Sequence, residues 1–187
     1  MKKLSVPVLL LSLALALPAL AKEKAGVNLP DRVTVEGKNL TLNGIGLRTK
    51  LIFKVYVAGL YLENPSNNAE QVIHSDQVKR VQMVMLRDLE KEKVAEAVRN
   101  GFEKNNKEKM PALKERLDNL VAEIPDFKKG ESFVITYLPG KGVTMTNKAG
   151  QVVTVPGKDF GDALFSVWLG QNPVDGGLRD EMLGKKG

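Results

Sequence analysis

Apolar and polar residues alternate through DRVTVEG (residues 31–37) and NLTLNG (39–44), on either side of turn-prone Gly37 and Asn39. That period of two predicts a pair of strands. NGIGLRTKLIFKVYVAGLYLEN (43–64) continues as strand, and VKRVQMVML (78–86) has the same period, while PSNNAEQVIHSDQ (65–77) between them predicts a short helix beginning near Ser66. The period then changes. From Asp88 to about Asn106 the apolar residues Leu89, Val94, Ala97, Val98 and Phe102 recur at helical spacing, with Asp88 placed to cap. Pro111 suits the start of a second helix whose apolar stripe is Leu113, Leu117, Leu120, Val121 and Ile124, ended by IPDF. SFVITYL, GVTMTN and QVVTV, separated by PGK and KAG, predict an antiparallel meander. Asp159 is placed to cap FGDALFSVWLG, and a last helix covers about 175–183. Strands, a helical pair, strands and helices again make an α+β plan: an antiparallel sheet with a layer of helices on one face.

The first residues stand outside that plan. MKK followed by LSVPVLLLSLALALPAL is a basic head and an apolar run, and ALA ending at Ala21 supplies the small residues a signal peptidase reads. The sequence therefore predicts a signal peptide over residues 1–21, one domain over 22–187, no stable membrane span after cleavage, and a periplasmic location. With no cysteine in the chain, neither disulfides nor an amino-terminal lipid anchor is available, and packing alone must hold the fold. The formal charge is +6; loss of Lys2 and Lys3 leaves 26 basic against 22 acidic residues, or +4. So mild an excess, mixed along the helices, reads as a solvated face.

Several chemistries are thinly provided for. His74 is the one histidine and lies in a short polar helix, so a Ser-His-Asp arrangement or a zinc site would rest on a single imidazole. Asp175, Asp180 and Glu181 lack the dense alternation of a calcium loop. GKGV and PGKD place glycine beside lysine without the long phosphate-cradling loop, and the aromatic residues sit inside apolar patterns rather than on a basic face. No metal, no cofactor and no nucleic-acid partner is expected.

The run LNGIGLR, followed by FKVYVAGLYLE and closed by LFSVWLGQNPVDGGLRDEMLG, resembles the chalcone isomerase superfamily, in particular its bacterial exported chalcone isomerase-like members, over about residues 30–184. The resemblance implies an open-faced sandwich with a ligand cleft between sheet and helices. The plant enzymes use an arginine with threonine, tyrosine, lysine and asparagine groups; here Arg48 matches the arginine, but Tyr56 stands at the threonine. Of their Tyr-x-x-Lys-Val-x-x-Asn pattern only Lys93 and Val94 remain, with Glu90 and Ala97 at the outer positions. Loss of those oriented donors argues against chalcone cyclisation and leaves no catalytic residue assigned. Fatty-acid-binding relatives keep the arginine and a tyrosine in a KVY-type context, where the two hold a carboxylate. FKVYVAGLY is similar to that.

The resemblance thus implies a ligand site at Arg48 and Tyr56 for a small apolar anion such as a fatty acid. On one unbroken strand the two would stand about 26 Å apart at roughly 3.3 Å per residue, so a shared site requires the chain to reverse near Thr49 to Leu51. Two other functions stay open: an isomerase or lyase using Arg48 with Tyr56 or Lys93 on a phenolic or carbonyl substrate, and an interaction module of the cell envelope. A purely structural role pairs Arg48 with a buried carbonyl or a carboxylate such as Glu63. Tyr61 and Trp168 are assigned to packing, and Gly44 and Gly46 to backbone bends.

Overall fold

The computed structural model describes residues 21–146 and 149–185; the signal peptide expected over residues 1–21 lies outside them except for Ala21. A hairpin of β1 (Ala21–Lys24) and β2 (Val27–Pro30) precedes the main sheet. That sheet runs β3 (Arg32–Val35), β4 (Lys38–Lys50), β5 (Phe53–Leu62), β6 (Lys79–Met85), β7 (Ser132–Leu138), β8 (Gly142–Thr146) and β9 (Val152–Val155), each strand antiparallel to the next in chain order. Helix α1 (Ala69–His74) interrupts the meander after β5. The pair α2 (Lys91–Asn106) and α3 (Met110–Ala122), joined by a single 3-10 turn, interrupts it after β6. Helices α4 (Lys158–Leu169) and α5 (Gly176–Met182) follow β9.

Alternation in the strands sorts the side chains. Tyr56, Ala58, Leu60 and Leu62 of β5, Val81, Met83 and Met85 of β6, and Phe133, Ile135 and Tyr137 of β7 join the helices in the main core. Helix α4 is buried almost all round, with Phe160, Leu164, Phe165, Trp168 and Leu169 in that core. A helix this apolar on every side belongs inside a layer rather than on its surface. The opposite face of the sheet carries a smaller cluster, Leu29, Val35, Leu40, Leu42, Tyr61, Val78 and Leu138, under the β1–β2 hairpin, where the Tyr61 hydroxyl donates to the Pro30 carbonyl at 3.0 Å. Tyr61 is therefore packing, as its context indicates. The hairpin itself has no counterpart in the sequence reading: AKEK and VNLP are short and weakly apolar.

Three helix starts differ from expectation. Asp88 does not cap α2, because the chain around it stays extended: Leu89 and Phe127 exchange backbone hydrogen bonds of 2.9 Å, and the Asp88 carboxylate accepts from the Lys129 amide and the Lys128 ammonium. The helix begins only at Lys91, whose amide donates to Asp126 Oδ1 at 3.0 Å. Asp159 lies inside the first turn of α4 after Gly157, and both its oxygens accept from Arg116 of α3, at 2.9 and 2.6 Å. Helix α1 starts after Asn68, which accepts from the Gln71 amide, rather than near Ser66. Asp175 caps α5 by accepting from the Leu178 amide at 3.0 Å.

At the other end of α1, Lys79 is fully buried; its ammonium donates to the carbonyls of Val72 and Ile73 at 3.1 and 2.6 Å and lies over the rings of Tyr137 and Phe165. Those carbonyls are among the groups a helix leaves unpaired at its C-terminus, so the lysine works as an internal cap. Burial pulls its pKa down to about 8, although Asp162, 3.8 Å away, opposes the shift. Among the described residues, no helix is long and apolar enough to cross a membrane, and no acidic, histidine or cysteine cluster could hold a metal ion.

Candidate functional site

Strand β4 is the frame of the site. Beyond Thr41, the last residue it pairs with β3, its outer edge is open, and a carboxylate row from the end of the chain covers it. Glu181 Oε2 accepts from the Leu47 amide at 2.9 Å and Asp175 Oδ2 from the Thr49 amide at 3.2 Å. A register shift between Leu42 and Gly44 turns Asn43 outward, where its amide group donates to the Met182 and Ser66 carbonyls and accepts from the Ser66 amide. Gly44 and Gly46 do not provide bends. A Cβ at Gly44 would stand 2.1 Å from the Glu181 carbonyl oxygen, and one at Gly46 2.8 Å from Leu178 Cδ1, so bare backbone is what lets α5 lie against the strand.

The chain reverses at Leu51 and Ile52, slightly beyond the range expected, with Lys50 opposite Phe53 and Leu51 at a φ of 57°. That turn sets Arg48 directly across the ladder from Tyr56, and the guanidinium carbon lies 5.5 Å from the phenol ring centre. Both residues line one cavity of about 890 Å³, within the ~300–1,000 Å³ typical of small-molecule sites. Its floor is apolar sheet (Val55, Met83, Met85, Phe133, Ile135), its roof is Val94, Ala97 and Val98 of α2, and Val167, Trp168 and Val174 complete the wall. Glu90 and Lys93 also line it. The four positions compared with the enzymes' helical pattern thus face the same space as Arg48.

Arg48 is half-buried and has no ion-pair partner among the described residues. Glu63, the carboxylate considered for it, is engaged elsewhere: it accepts from the Val78 amide at 2.8 Å, which holds its pKa below the usual value, and pairs with Lys38 at 3.2 Å. Tyr56 is buried, and burial raises its pKa despite the opposing effect of Arg48, so the phenol is neutral. Trp168 Nε1 donates to the Tyr56 oxygen at 3.1 Å, which fixes the ring and leaves the phenol's own O–H to donate. A cationic fork beside a neutral hydroxyl donor, on the wall of a cavity with an apolar floor and roof and a charged rim, matches a carboxylate attached to a hydrocarbon.

Lys93 is placed differently from the other two. Its side chain is 71% exposed and its ammonium bonds Glu90 at 2.8 Å, so it belongs to the rim. The structure also adds groups that the sequence did not point to. Trp168, assigned to packing, is also the hydrogen-bond partner that orients Tyr56. Arg87, whose guanidinium carbon lies 4.9 Å from the Phe53 ring centre, stands at the mouth. Neither has a local signal, since the partner of each is distant along the chain.

Comparison with known proteins agrees with this architecture. A family model described as chalcone isomerase-like matches residues 21–184. Among solved structures, a fatty-acid binding protein of Arabidopsis thaliana superposes with a TM-score of 0.68 at 16% sequence identity, covering 88% of this chain and 96% of the other. At that identity the likeness is one of fold: a curled antiparallel sheet with helices. No curated protein sequence matches the chain.

Proposed function

The chain belongs to the chalcone isomerase-like family, and from that premise we propose that it is an exported, non-catalytic binding protein for a fatty acid or a similar small apolar anion. The carboxylate is held by Arg48 and Tyr56, and the hydrocarbon lies in the cavity between the sheet and α2. The observation that carries this reading is Arg48: a half-buried cation beside the apolar floor of the cavity, without a protein carboxylate in ion-pair range among the described residues. Keeping a guanidinium partly out of water without a counter-charge is unfavourable until an anion arrives. The fatty-acid binding protein of similar fold lends support.

Native mass spectrometry of the protein purified from its own cell envelope tests the reading. A bound mass in the fatty-acid range, lost in Arg48→Ala, is expected; a bound mass that persists unchanged in the variant removes the carboxylate site. The same spectrum reports the mature amino terminus, expected at Lys22. An enzymatic reading has weaker support, because Lys93, its potential base, is exposed and already bonded to Glu90. Turnover of any compound in a panel of chalcones and related enones would reverse that ranking.

A further inference from the structure

The tip of the β4–β5 hairpin is built against the usual preferences of a turn. Two-residue reversals favour Asn and Gly because a positive φ is unfavourable for other residues, yet here Leu51 holds φ at 57° with Ile52 beside it. Neither is used for packing: Leu51 is 88% exposed, Ile52 86% and the adjacent Phe53 51%. Elsewhere among the described residues the exposed large apolar side chains amount to a single valine, Val152. Scattered exposed apolar residues are ordinary, but three in succession on a projecting tip are not.

The charges on the tip and on Arg87, which lies over Phe53, have one sign. Lys50, Lys54 and Arg87 are exposed, and none has an ion-pair partner among the described residues. The acidic residues that line the cavity with Lys50 and Arg87 are engaged: Asp88 by Lys128, Glu90 by Lys93, Asp126 by the Lys91 amide and Glu131 by the Lys128 amide. An apolar point within a ring of free cations complements a bilayer with anionic headgroups, where the cations lie among the phosphates and the apolar side chains reach the acyl boundary.

We infer that the Leu51, Ile52 and Phe53 tip docks the protein onto an anionic lipid surface, with the mouth of the cavity against the bilayer. Lys50, Leu51 and Phe53 belong to both the tip and the cavity lining, so a docked molecule opens its cavity toward the lipid. The docking stands on the tip alone; its use as a route for an acyl chain rests on the proposed function.

Flotation of the mature protein with vesicles tests it, using phosphatidylcholine with and without phosphatidylglycerol. Ile52→Asp and Lys54→Glu are suitable variants because neither residue lines the cavity. Wild type is expected to float with the anionic vesicles and not the neutral ones, with binding that weakens as salt rises. Each variant is expected to lose about tenfold or more of the bound fraction. Wild type that floats with neither vesicle, or variants that float like wild type, would overturn the docking. So would absence of vesicle binding together with a concentration-dependent dimer that Ile52→Asp abolishes. Displacement of a fluorescent fatty acid, measured without vesicles, separates the two proposals: it should be unchanged in both variants. Its failure in wild type removes the ligand reading and leaves the docking standing, whereas flotation failing alone does the reverse.

Discussion

Arg48 and Tyr56 are cross-strand partners, with the guanidinium carbon 5.5 Å from the centre of the phenol ring. Eight positions apart in sequence, they become neighbours through a reversal of only two residues, Leu51 and Ile52. Substitution of the arginine should show what the pair does. Arg48→Ala is expected to weaken fatty-acid binding by about ten- to a hundredfold, the equivalent of ~1.5–3 kcal/mol for hydrogen bonds to a charged group. Arg48→Lys should retain charge but lose the fork, and fall between. Isothermal titration with a medium-chain fatty acid measures both.

The bond from Trp168 to Tyr56 should couple the two residues energetically. Tyr56→Phe leaves a buried indole N–H without its acceptor, at a cost of about 1–3 kcal/mol. Once Trp168 is Phe, the same change at Tyr56 should cost about 1 kcal/mol less. A double-mutant cycle in urea reads the difference, and strict additivity would show that the hydrogen bond contributes nothing.

Ala97 lines the roof of the cavity from α2 and is only partly buried. Ala97→Phe should fill space that the acyl chain needs, lowering affinity for long chains more than for short ones while altering stability by less than about 1.5 kcal/mol. Binding of a series of chain lengths is the measurement, and a uniform loss would place the hydrocarbon elsewhere.

The glycine face of β4 makes a sharp contrast available. Gly44→Ala sets a methyl against the backbone of α5, which must then shift, and should destabilise the fold by about 3 kcal/mol or more. Gly176→Ala, in the first turn of α5 with open space around it, should instead stabilise by up to about 1 kcal/mol. Thermal unfolding of the two variants should therefore move in opposite directions.

Lys79 gives the stability a signature in pH. Its folded-state pKa is drawn down to about 8 by burial, against about 10.4 for an unfolded lysine, so between those values the unfolded chain binds more protons. Stability should therefore rise with pH from about 8 to 10, with a slope of at most ~1.4 kcal/mol per pH unit from this group. Above pH 10 the trend reverses. Burial raises Tyr56, Tyr137 and Tyr61, the last to about 12, so there the unfolded chain releases protons that the folded one retains. Urea midpoints across this range should show the rise in wild type and not in Lys79→Met.

Where a residue's environment is its own strand or helix, the sequence was informative. Period two located β3, the first part of β4 and β6, turn residues set apart β7 to β9, and the stripe of Leu113, Leu117, Leu120, Val121 and Ile124 identified the buried side of α3. Residues whose partners lie far along the chain could not be read that way. Asp88 and Asp159 have the chemistry of helix caps, but Lys128, Lys129 and Arg116 occupy them. Trp168 has the context of a core residue and is one, yet its N–H serves Tyr56, 112 positions earlier. The turn at Leu51 and Ile52 contains no glycine, proline or asparagine to announce it. Arg48 and Tyr56 were recognisable as candidates through the family resemblance, and the register that joins them had to come from the structure.

The helix that seats itself on Gly44 and Gly46 is made from the last residues described, while the strand beneath it is made early. β4 and β5 can pair through contacts near in sequence, whereas the Leu47 and Thr49 amides stay uncovered until Asp175 and Glu181 reach them, and the wall stays open until Val174 does. That side of the cavity is therefore completed by contacts 126 and 134 positions apart in sequence, although the hairpin that carries Arg48 and Tyr56 needs only local pairing. Under the proposed function, a molecule able to hold its ligand is one in which those distant segments have already met.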